Sequence, residues 1–447
     1  MLFDIASKSG VELYKKRRED LVIKIKEKYQ NKTGVIVFIS DFEQDCKKFD
    51  QESSFFYYSG INEPGVLMVH SLDNNKTVLF KPEFINDRGQ WVDSEVELLP
   101  ENAKKLGVDK VDSLGNPLSG YQVHPFSSEK HYDFLIESLG AIIKNNENIF
   151  TIFPGTPYGY MQQRLLLNRF SALIPNFKKS LIDISDLVAG MRRKKDMHEI
   201  EKINEAIDIT ILAHEAAAQA IKAGTLECEV QAAIEYVFTA AGSAPAFPSI
   251  VATGKNGTIL HYVNNSQELK KSDLVVVDIG AKKDGYCADI TRTYPVSGTF
   301  TRRQKELYQI VLDVQEYIAD LAKPGMWLNN KDEKEKSLHH LAQDYLEKKG
   351  YKKYFPHGIG HYLGLDVHDV GGYKTPLQEG DVITIEPGIY IQQESIGIRI
   401  EDNYWVVKNG AVCLSEQLPK TIEDIENFMQ QDHNLFDGYA DKDYIEH

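Results

Sequence analysis

Two pairs of acidic residues in the second half of the chain have the residue types and spacing of a metal site. Asp278 follows the apolar run LVVV, and Asp289 lies in the strand-like segment GYCADITRTYPV. Glu386 and Glu401 occupy similar places in DVITIEPGIYI and GIRIEDNYWVV. Because an unpaired carboxylate is costly in a buried strand context, positive charge should lie among these four acids.

The two acid pairs belong to an internal repeat, in which each half places its acids at matching distances from an earlier aspartate and a glycine. The matched positions, first half before second, are 273 and 381, 278 and 386, 285 and 397, and 289 and 401. Helical patterns precede the acids in both halves, at about 198–222 and 226–241 and at about 302–322 and 335–349. Each half should therefore bring two carboxylates to an equivalent place.

The register of the first β-hairpin leaves two arrangements open. A loop over residues 282–285 would set Asp278 directly opposite Asp289, where two bare carboxylates destabilise the pair. A two-residue turn at Asp284 and Gly285 would offset the acids diagonally, and a shared metal ion could still bridge them. In a blander interpretation one acid caps a turn and the other pairs with Arg292, but the second acid pair at the matching place disfavours it.

Arg399 and a run of histidines could complete the site. Arg399 lies two residues before Glu401 on the same strand face, so it either pairs with Glu401 or holds another carboxylate in its coordinating position. His357, His361 and His368 lie in HGIGHYLGLDVHD, whose glycines indicate a close-approach loop rather than a continuous helix. His261, in ILHYVNN, is either a surface loop histidine or a fourth member of this group.

Oxygen-rich coordination with one imidazole favours Mn²⁺, with Co²⁺, Fe²⁺ or Zn²⁺ as substitutes. The four cysteines are far apart and form no C-x-x-C pair, so no thiolate site is expected. Two bridging carboxylates favour a pair of divalent ions about 3.5 to 4 Å apart, which generates a hydroxide near neutral pH, so hydrolysis is the natural chemistry. A single structural calcium ion is disfavoured because the acids lie on two hairpins rather than in one loop.

The elements that must position these residues indicate a two-domain α+β protein. The 447 residues are 42% hydrophobic and 26% charged, which is typical of a globular chain. Before the repeat, a helical pattern at 11–29 and strand-like runs at 34–40, FFYYSG, VLMVHSL and KTVLFKP predict an α/β domain. We place the domains at 1–178 and 179–447, with the boundary uncertain by about ten residues.

Charge and hydropathy limit the partners. The net charge of −15 disfavours nucleic acid, and no apolar run approaches the roughly 18 residues needed to cross a bilayer. The first ten residues lack the basic and apolar regions of a signal peptide, and the cysteine usage suits a reducing compartment, so we expect a cytoplasmic protein. The acidic tail from Gln430 to His447 is expected to be loosely attached.

The second half resembles the pita-bread metallopeptidases, the family of methionine aminopeptidase, aminopeptidase P, prolidase and the non-metal enzyme creatinase. VVVDIGA, ADITRTYPV, HGIGHYLGLDVHDVGGY, TIEPGIYI and GIGIRIEDN are similar to segments of aminopeptidase P and prolidase, and SSFFYYSGINEPGVLMV resembles their N-terminal domain. The resemblance implies an α/β N-terminal domain followed by a pseudo-twofold pita-bread catalytic domain. It also implies a homodimer or homotetramer in which the N-terminal domain helps to close the site.

The resemblance implies a role for each candidate residue. Two metal ions would be held by Asp278, Asp289, His361, Glu386 and Glu401, with Asp289 and Glu401 bridging. Glu386 would also move a proton from the attacking hydroxide to the leaving nitrogen, and His368 would donate a hydrogen bond to the oxyanion or leaving group. His261 and His357 would orient the residues that flank the scissile bond, and Arg399 would lie at the substrate site.

The implied activity is hydrolysis of the bond that precedes proline in proline-containing peptides. The short run VGGYKTPLQEG at 370–380 lacks the arginine-containing insertion of human-type prolidases, which favours a Xaa-Pro aminopeptidase. Lys374 in that run keeps the alternative, a Xaa-Pro dipeptidase, open. A peptide-binding protein that has lost catalysis is disfavoured because all five ligand types are present.

Overall fold

The structure is a computed structural model that describes residues 8–125, 127–153, 160–372 and 374–431. The predicted acidic tail lies outside these residues from position 432 onward. The chain divides into two compact units between Arg192 and Arg193. The boundary predicted from the sequence lies earlier, ahead of a short strand that begins at Leu181. None of the helices in the described part of the chain combines the length and the hydropathy of a membrane-spanning segment.

The first unit is an α/β domain with a mixed sheet. Its elements are α1 Lys8–Lys28, β1 Gly34–Ile39, α2 Ser53–Ser59, β2 Leu67–Ser71, β3 Thr77–Lys81, β4 Lys110–Ser113, α3 Asp133–Lys144, β5 Asn148–Thr151, α4 Met161–Leu173, α5 Phe177–Ser180, β6 Leu181–Asp183 and α6 Ser185–Arg193. The described strands run in the order β4-β3-β2-β1-β5-β6, with β1, β2 and β3 antiparallel and the other pairings parallel. The core is formed by residues of β1, β2, β3 and β5 together with residues of α3 and α4.

One predicted strand of this unit is wrong. The run FFYYSG belongs to α2, whose first turn is capped by Glu52 because its carboxylate accepts hydrogen bonds from the N–H groups of Ser54 and Phe55. Gly60 ends the helix in the left-handed conformation, at φ 67°. All four aromatic residues of the run are buried. A short apolar run without alternation cannot distinguish a buried helix from a buried strand, and here the cap decides.

The second unit contains the predicted repeat. Its elements are α7 Met197–Ala220, α8 Glu227–Ala240, β7 Ala244–Pro245, β8 Ile250–Thr253, β9 Leu274–Ile279, β10 Ala281–Lys283, β11 Tyr286–Cys287, β12 Ile290–Pro295, α9 Arg302–Leu321, α10 Leu338–Lys349, β13 Val382–Ile385, β14 Gly388–Ile391, β15 Ile396–Arg399, β16 Asp402–Val407, β17 Gly410–Cys413 and α11 Ile422–Phe428. In each half two helices precede two nested antiparallel pairs, β9 with β12 around β10 with β11, and β13 with β16 around β14 with β15. A bridge between Thr291 and Glu401 joins the halves.

The first hairpin has the second of the two predicted registers. Asp284 and Gly285 form a two-residue turn with φ 48° and 86°, and Lys283 pairs with Tyr286. Two positive φ values in succession are typical of a type I′ turn, whose twist matches that of the flanking strands. Asp278 therefore pairs with Thr291, not with Asp289. Direct opposition of the two aspartates is wrong, and the diagonal offset is confirmed.

Gly280 allows the close approach that brings the two aspartate-bearing strands together. A Cβ atom at this position would lie 1.9 Å from the carbonyl oxygen of Ala288, the residue before Asp289. Any side chain at position 280 must therefore push the two strands apart.

We expect Gly280→Ala to lower the free energy of unfolding of the full chain by about 3 kcal/mol or more, because the methyl group clashes with backbone. Gly410→Ala in the same unit is the matched control, since a Cβ there meets nothing within 4 Å. Its unfolding free energy should stay within about 0.5 kcal/mol of the unmodified protein. Urea unfolding followed by circular dichroism measures both, and equal stability of the two variants would contradict the packing argument.

Candidate metal centre

The predicted acids lie where strands of the second unit end or break. Asp278 is the penultimate residue of β9, and Asp289 lies in the gap between β11 and β12. Glu386 follows β13 directly, and Glu401 lies in the gap between β15 and β16. Thr291 links the two halves here, because it is the ladder partner of Asp278 and also bridges to Glu401.

The structure brings the imidazole of His361 among these acids. Its Nε2 atom lies 3.3 Å from Asp289 Oδ2, 3.6 Å from Glu386 Oε1 and 4.0 Å from Glu401 Oε1. One ligand atom from each of Asp289, His361 and Glu401 lies within 4.8 Å of the other two. Atoms that each lie about 2.0–2.2 Å from one cation are separated by roughly 3 to 4 Å, so this spacing fits shared coordination.

Three carboxylate oxygens at this point have no hydrogen-bond partner within the part of the chain that the structure describes. They are Asp278 Oδ1, Asp289 Oδ1 and Glu401 Oε1, and all three are buried. Buried polar atoms are normally paired, and an oxygen anion left without a donor is well suited to a hard cation. The donor set, four carboxylates and one imidazole, therefore fits divalent metal ions.

Burial, with a smaller contribution from neighbouring negative charges, raises the pKa of three of the carboxyl groups. Burial, followed by the charges of Asp278 and Glu386, raises the pKa of Asp289 well above its usual range. Burial and the neighbouring acids also raise the pKa of Glu401, and burial raises that of Glu386. The site therefore attracts positive charge, which protons or metal ions can supply.

Among the described residues, Arg399 is the one arginine that contacts a side-chain carboxylate of this cluster. Its Nη2 donates to Asp278 Oδ2, its Nη1 to the Tyr390 hydroxyl at 2.9 Å and its Nε to Thr291 at 3.2 Å. Burial disfavours the charged guanidinium, but Tyr390, Asp278 and Glu401 raise its pKa more strongly, so Arg399 stays cationic. Of the two sequence-based alternatives, the structure has the one in which Arg399 holds another carboxylate.

The interpretation in which one acid of the first pair caps a turn and the other pairs with Arg292 is wrong. Arg292 pairs with Asp402, not with Asp278 or Asp289, through a 2.7 Å contact between two fully buried side chains. Lys420 and Ser415 also contact Asp402, so this ion pair is satisfied separately from the predicted metal site. Arg292 also donates to the backbone carbonyl of Glu401 at 2.8 Å, so among the residues described only Arg399 contacts a side-chain carboxylate of the site.

His357 is a neutral imidazole whose two nitrogens are both engaged. Its Nδ1 lies 2.8 Å from the carbonyl oxygen of Gly358, so that nitrogen donates. Its Nε2 lies 2.9 Å from the Tyr390 hydroxyl, which accepts from Arg399 and so donates its own proton to His357. Burial, with the nearby Arg399 charge, lowers the pKa of His357 to about 3.

The other histidines line the same cavity. The segment from 357 to 369 contains no helix, as predicted. The His368 ring centroid lies 4.3 Å from that of His361, and burial lowers the pKa of His368. His261 is exposed at the cavity wall. The cavity has a volume of about 1050 Å³, and all nine predicted site residues line it: His261, Asp278, Asp289, His357, His361, His368, Glu386, Arg399 and Glu401.

Sequence reasoning missed three residues that hold these groups in place. Tyr390 links Arg399 to His357, and the Thr291 hydroxyl donates to Glu401 Oε2 at 2.7 Å. The side-chain amide of Asn403 pairs with both the backbone N–H and the carbonyl of Asp289. Thr291 and Asn403 each lie two residues after a predicted ligand, which places them beside the site, but their partners are set by the packing of one half on the other.

The chain matches two protein-family models. Residues 201–408 match metallopeptidase family M24, and residues 14–118 match the aminopeptidase P N-terminal domain. The chain is 31% identical to a Xaa-Pro aminopeptidase of Haemophilus influenzae, over 89% of this chain and 93% of that protein. It is 39% identical to a Xaa-Pro dipeptidase of Pyrococcus horikoshii over a shorter region, 59% of this chain and 71% of that protein.

The fold is also similar to a solved structure. A variant of Escherichia coli aminopeptidase P in complex with substrate superimposes with a TM-score of 0.77 at 27% identity, over 94% of this chain and 98% of that chain. These matches confirm the predicted fold class, an α/β N-terminal domain followed by a pita-bread catalytic domain.

Freed of divalent cations, the protein should lose thermal stability as the pH rises from about 5 to about 8. The pKa values of Asp289, Glu386 and Glu401 are raised in the folded state. Above the usual carboxyl pKa the folded state therefore binds more protons than the unfolded state, and the free energy of unfolding falls with pH. Added Mn²⁺ should raise the melting temperature most at the alkaline end, where protons no longer compete.

Scanning calorimetry of chelated protein, with and without Mn²⁺, measures this dependence. Glu401→Gln, which removes one of the acids, provides the comparison and should show a shallower decline. A chelated protein whose melting temperature falls no more steeply than that of Glu401→Gln would contradict the raised carboxyl pKa values.

Proposed function

Because the chain belongs to metallopeptidase family M24, we propose that it is a metal-dependent Xaa-Pro aminopeptidase, which removes the residue before proline from the N-terminus of a peptide. The observation that carries this proposal is the convergence of four carboxylates and the His361 imidazole on one cavity. Three of the buried carboxylate oxygens have no hydrogen-bond partner among the described residues. The name of the Haemophilus influenzae relative, which this chain matches over most of its length, supports the peptide substrate.

We assign the ligands of two divalent cations to the five converging residues Asp278, Asp289, His361, Glu386 and Glu401, with Asp289 and Glu401 shared. The oxygen-rich donor set supports Mn²⁺ as the native ion. Bound there, such ions would polarise the scissile carbonyl group and lower the pKa of water. Arg399 holds Asp278 and so leaves its second oxygen for coordination.

Glu386 is the proposed proton carrier. Its raised pKa lets it hold a proton nearer neutral pH than an ordinary glutamate, so it can take one from the attacking water and pass it to the leaving nitrogen. One of its oxygens lies near His361 and the other lies 3.7 Å from His357 Nδ1. The carboxylate is therefore confined between two imidazoles beside the reacting atoms.

The three remaining histidines receive different roles. His368 has a lowered pKa, so at neutral pH its imidazole is neutral and can donate one hydrogen bond to the oxyanion or the leaving group. His357 has both nitrogens engaged, so we propose that it orients substrate through its ring rather than through a hydrogen bond. His261, exposed at the cavity wall, would orient the residues beside the scissile bond.

A Xaa-Pro dipeptidase is the second candidate, because the Pyrococcus horikoshii relative has that name and a higher local identity. A dipeptide substrate presents its C-terminal carboxylate close to the scissile bond, so a dipeptidase needs a cation there. Lys374 is exposed and is not among the residues that line the cavity. This favours longer peptides.

The proposal also includes the cellular location and the oligomeric state of the protein. All four cysteines are free, which supports a reducing, cytoplasmic setting. A homodimer or homotetramer is proposed from the family resemblance.

Glu386→Gln should lower kcat by roughly 10² to 10⁴, because the amide cannot carry the proton, while KM changes far less. Steady-state hydrolysis of a Xaa-Pro-containing tripeptide with added Mn²⁺ measures both constants. Glu379→Gln, the same change at an exposed position seven residues earlier, is the control and should keep full activity. Metal analysis of both variants separates loss of the proton carrier from loss of bound ions, and full activity of Glu386→Gln with its metal retained would end this assignment.

A tripeptide with proline in second position should be cleaved at least about tenfold faster, in kcat/KM, than the matching Xaa-Pro dipeptide. We expect this because no lysine or arginine among the described residues of the 370–380 run lines the cavity. Timed chromatography of both peptides with Mn²⁺ measures the ratio. Lys374→Met should leave it unchanged; exclusive dipeptide turnover that this variant abolishes would establish the dipeptidase instead.

A further inference from the structure

The loop between β8 and β9 carries His261 to the cavity wall, and one buried carboxylate fastens both ends of that loop. Glu227 is the first residue of α8 and is fully buried. Its Oε1 accepts a hydrogen bond from the backbone N–H of Thr253 at 2.7 Å and another from the Asn256 side chain at 3.1 Å. The start of the loop is therefore held by this oxygen.

The second oxygen of Glu227 holds the far end of the loop. Oε2 accepts from the Tyr262 hydroxyl at 2.8 Å and from the backbone N–H of Gln267 at 2.9 Å. The backbone N–H of Glu227 in turn donates to the Gln267 carbonyl at 2.9 Å. Among the described residues no lysine or arginine pairs with this carboxylate, so its buried charge is balanced by four hydrogen-bond donors, three of which belong to the loop.

Asn265 fastens the loop at a second point. Its side-chain oxygen accepts from Val251 N–H at 3.1 Å, and its amide donates to Ser249 O at 2.7 Å and to Gln231 at 2.9 Å. Between these anchors lies an apex, residues 259–263, in which Leu260, His261 and Val263 line the cavity. Tyr262, between them, is buried against Glu227 instead.

The His261 ring itself forms no hydrogen bond to any described residue, so the backbone of the loop sets its position. We propose that Glu227 is a positioning residue that fixes the loop apex and so holds His261 against the substrate. This inference rests on the proposed function for the role of His261, but the anchoring of the loop is independent of it.

Glu227→Gln tests the anchor without a change of size. A glutamine can accept on one side only, and its NH₂ group must then face either Thr253 N–H or Gln267 N–H, which loses its acceptor. Hydrogen exchange of the full-length protein, read by mass spectrometry, should show peptides within 253–268 exchanging about tenfold faster. The peptides that cover β9 to β12 should be unchanged. Unaltered exchange within 253–268 would overturn the proposal.

Two further variants keep the test decisive. Glu229→Gln makes the same change in the same turn of α8, at an exposed carboxylate that caps only Leu226 N–H, and should leave both exchange and turnover unchanged. Tyr262→Phe removes a single donor and should speed exchange at the apex alone. If Glu227→Gln loosens the whole chain, faster exchange confined to the apex in Tyr262→Phe supports the anchor, and unchanged exchange there refutes it.

A double-variant cycle tests the action through His261. Glu227→Gln and His261→Ala should each lower kcat/KM by about ten- to a hundredfold, mainly through the same kinetic constant. On the His261→Ala background, Glu227→Gln should cost no more than about twofold further. If the losses in kcat/KM of the two single variants multiply in the double variant, Glu227 does not act through His261. Absence of peptide hydrolysis by the unmodified protein would instead refute the proposed function, and the exchange experiment would still decide the anchor.

Discussion

Buried negative charge without enough protein cations is the constraint on which the catalytic unit depends. Four carboxylates and one imidazole converge, and among the described residues a single arginine, Arg399, forms an ion pair with one of these carboxylates. Burial of unpaired charges costs far more than one hydrogen bond returns, so such a cluster persists only if the surrounding fold forbids its members to separate. The pKa values of Asp289 and Glu401 are raised because this confinement buries both carboxyl groups and holds them close to other acids.

The confinement comes from the way the two repeats are joined. Each repeat supplies one carboxylate at a strand end and one at a strand break, and polar side chains then tie the halves together. Thr291 of the first repeat donates to Glu401 of the second, and Asn403 of the second pairs with the backbone of Asp289 in the first. Asp289 and Glu401 are thus held by neutral groups of the opposite half, and Asp278 is held by the charged Arg399 of the second half. Arg292 forms its ion pair with Asp402 and also donates to the backbone carbonyl of Glu401, so it supports the backbone of the site without neutralising the site carboxylates.

The sequence predicts the chemistry of this site better than its geometry. Residue type, matched spacing and the family resemblance together identified nine residues that line the cavity, because acids repeated at apolar strand ends are typical of shared metal coordination. The register of the first β-hairpin depends on the positive φ of Asp284. The sequence alone allows either a loop over residues 282–285 or a two-residue turn. The helix at Ser53–Ser59 depends on the N-terminal cap from Glu52. The four aromatic residues that follow are typical of a strand, so the sequence pattern does not reveal this cap. The partners of Arg399 and His357 depended on Tyr390, whose place follows from strand pairing and not from any local pattern.

The histidines show why protein side chains alone do not neutralise the site. An imidazolium would be the simplest counter-charge for buried carboxylates, but burial and Arg399 lower the pKa of His357 to about 3, and burial and His361 lower that of His368. Tyr390 also fixes the tautomer of His357 by donating to Nε2, so that nitrogen cannot take a proton without losing the hydrogen bond. The fold therefore keeps these two imidazoles neutral beside acids that attract positive charge. That combination suits a centre in which the positive charge comes from bound cations, because neutral imidazoles do not compete with metal ions for the carboxylates.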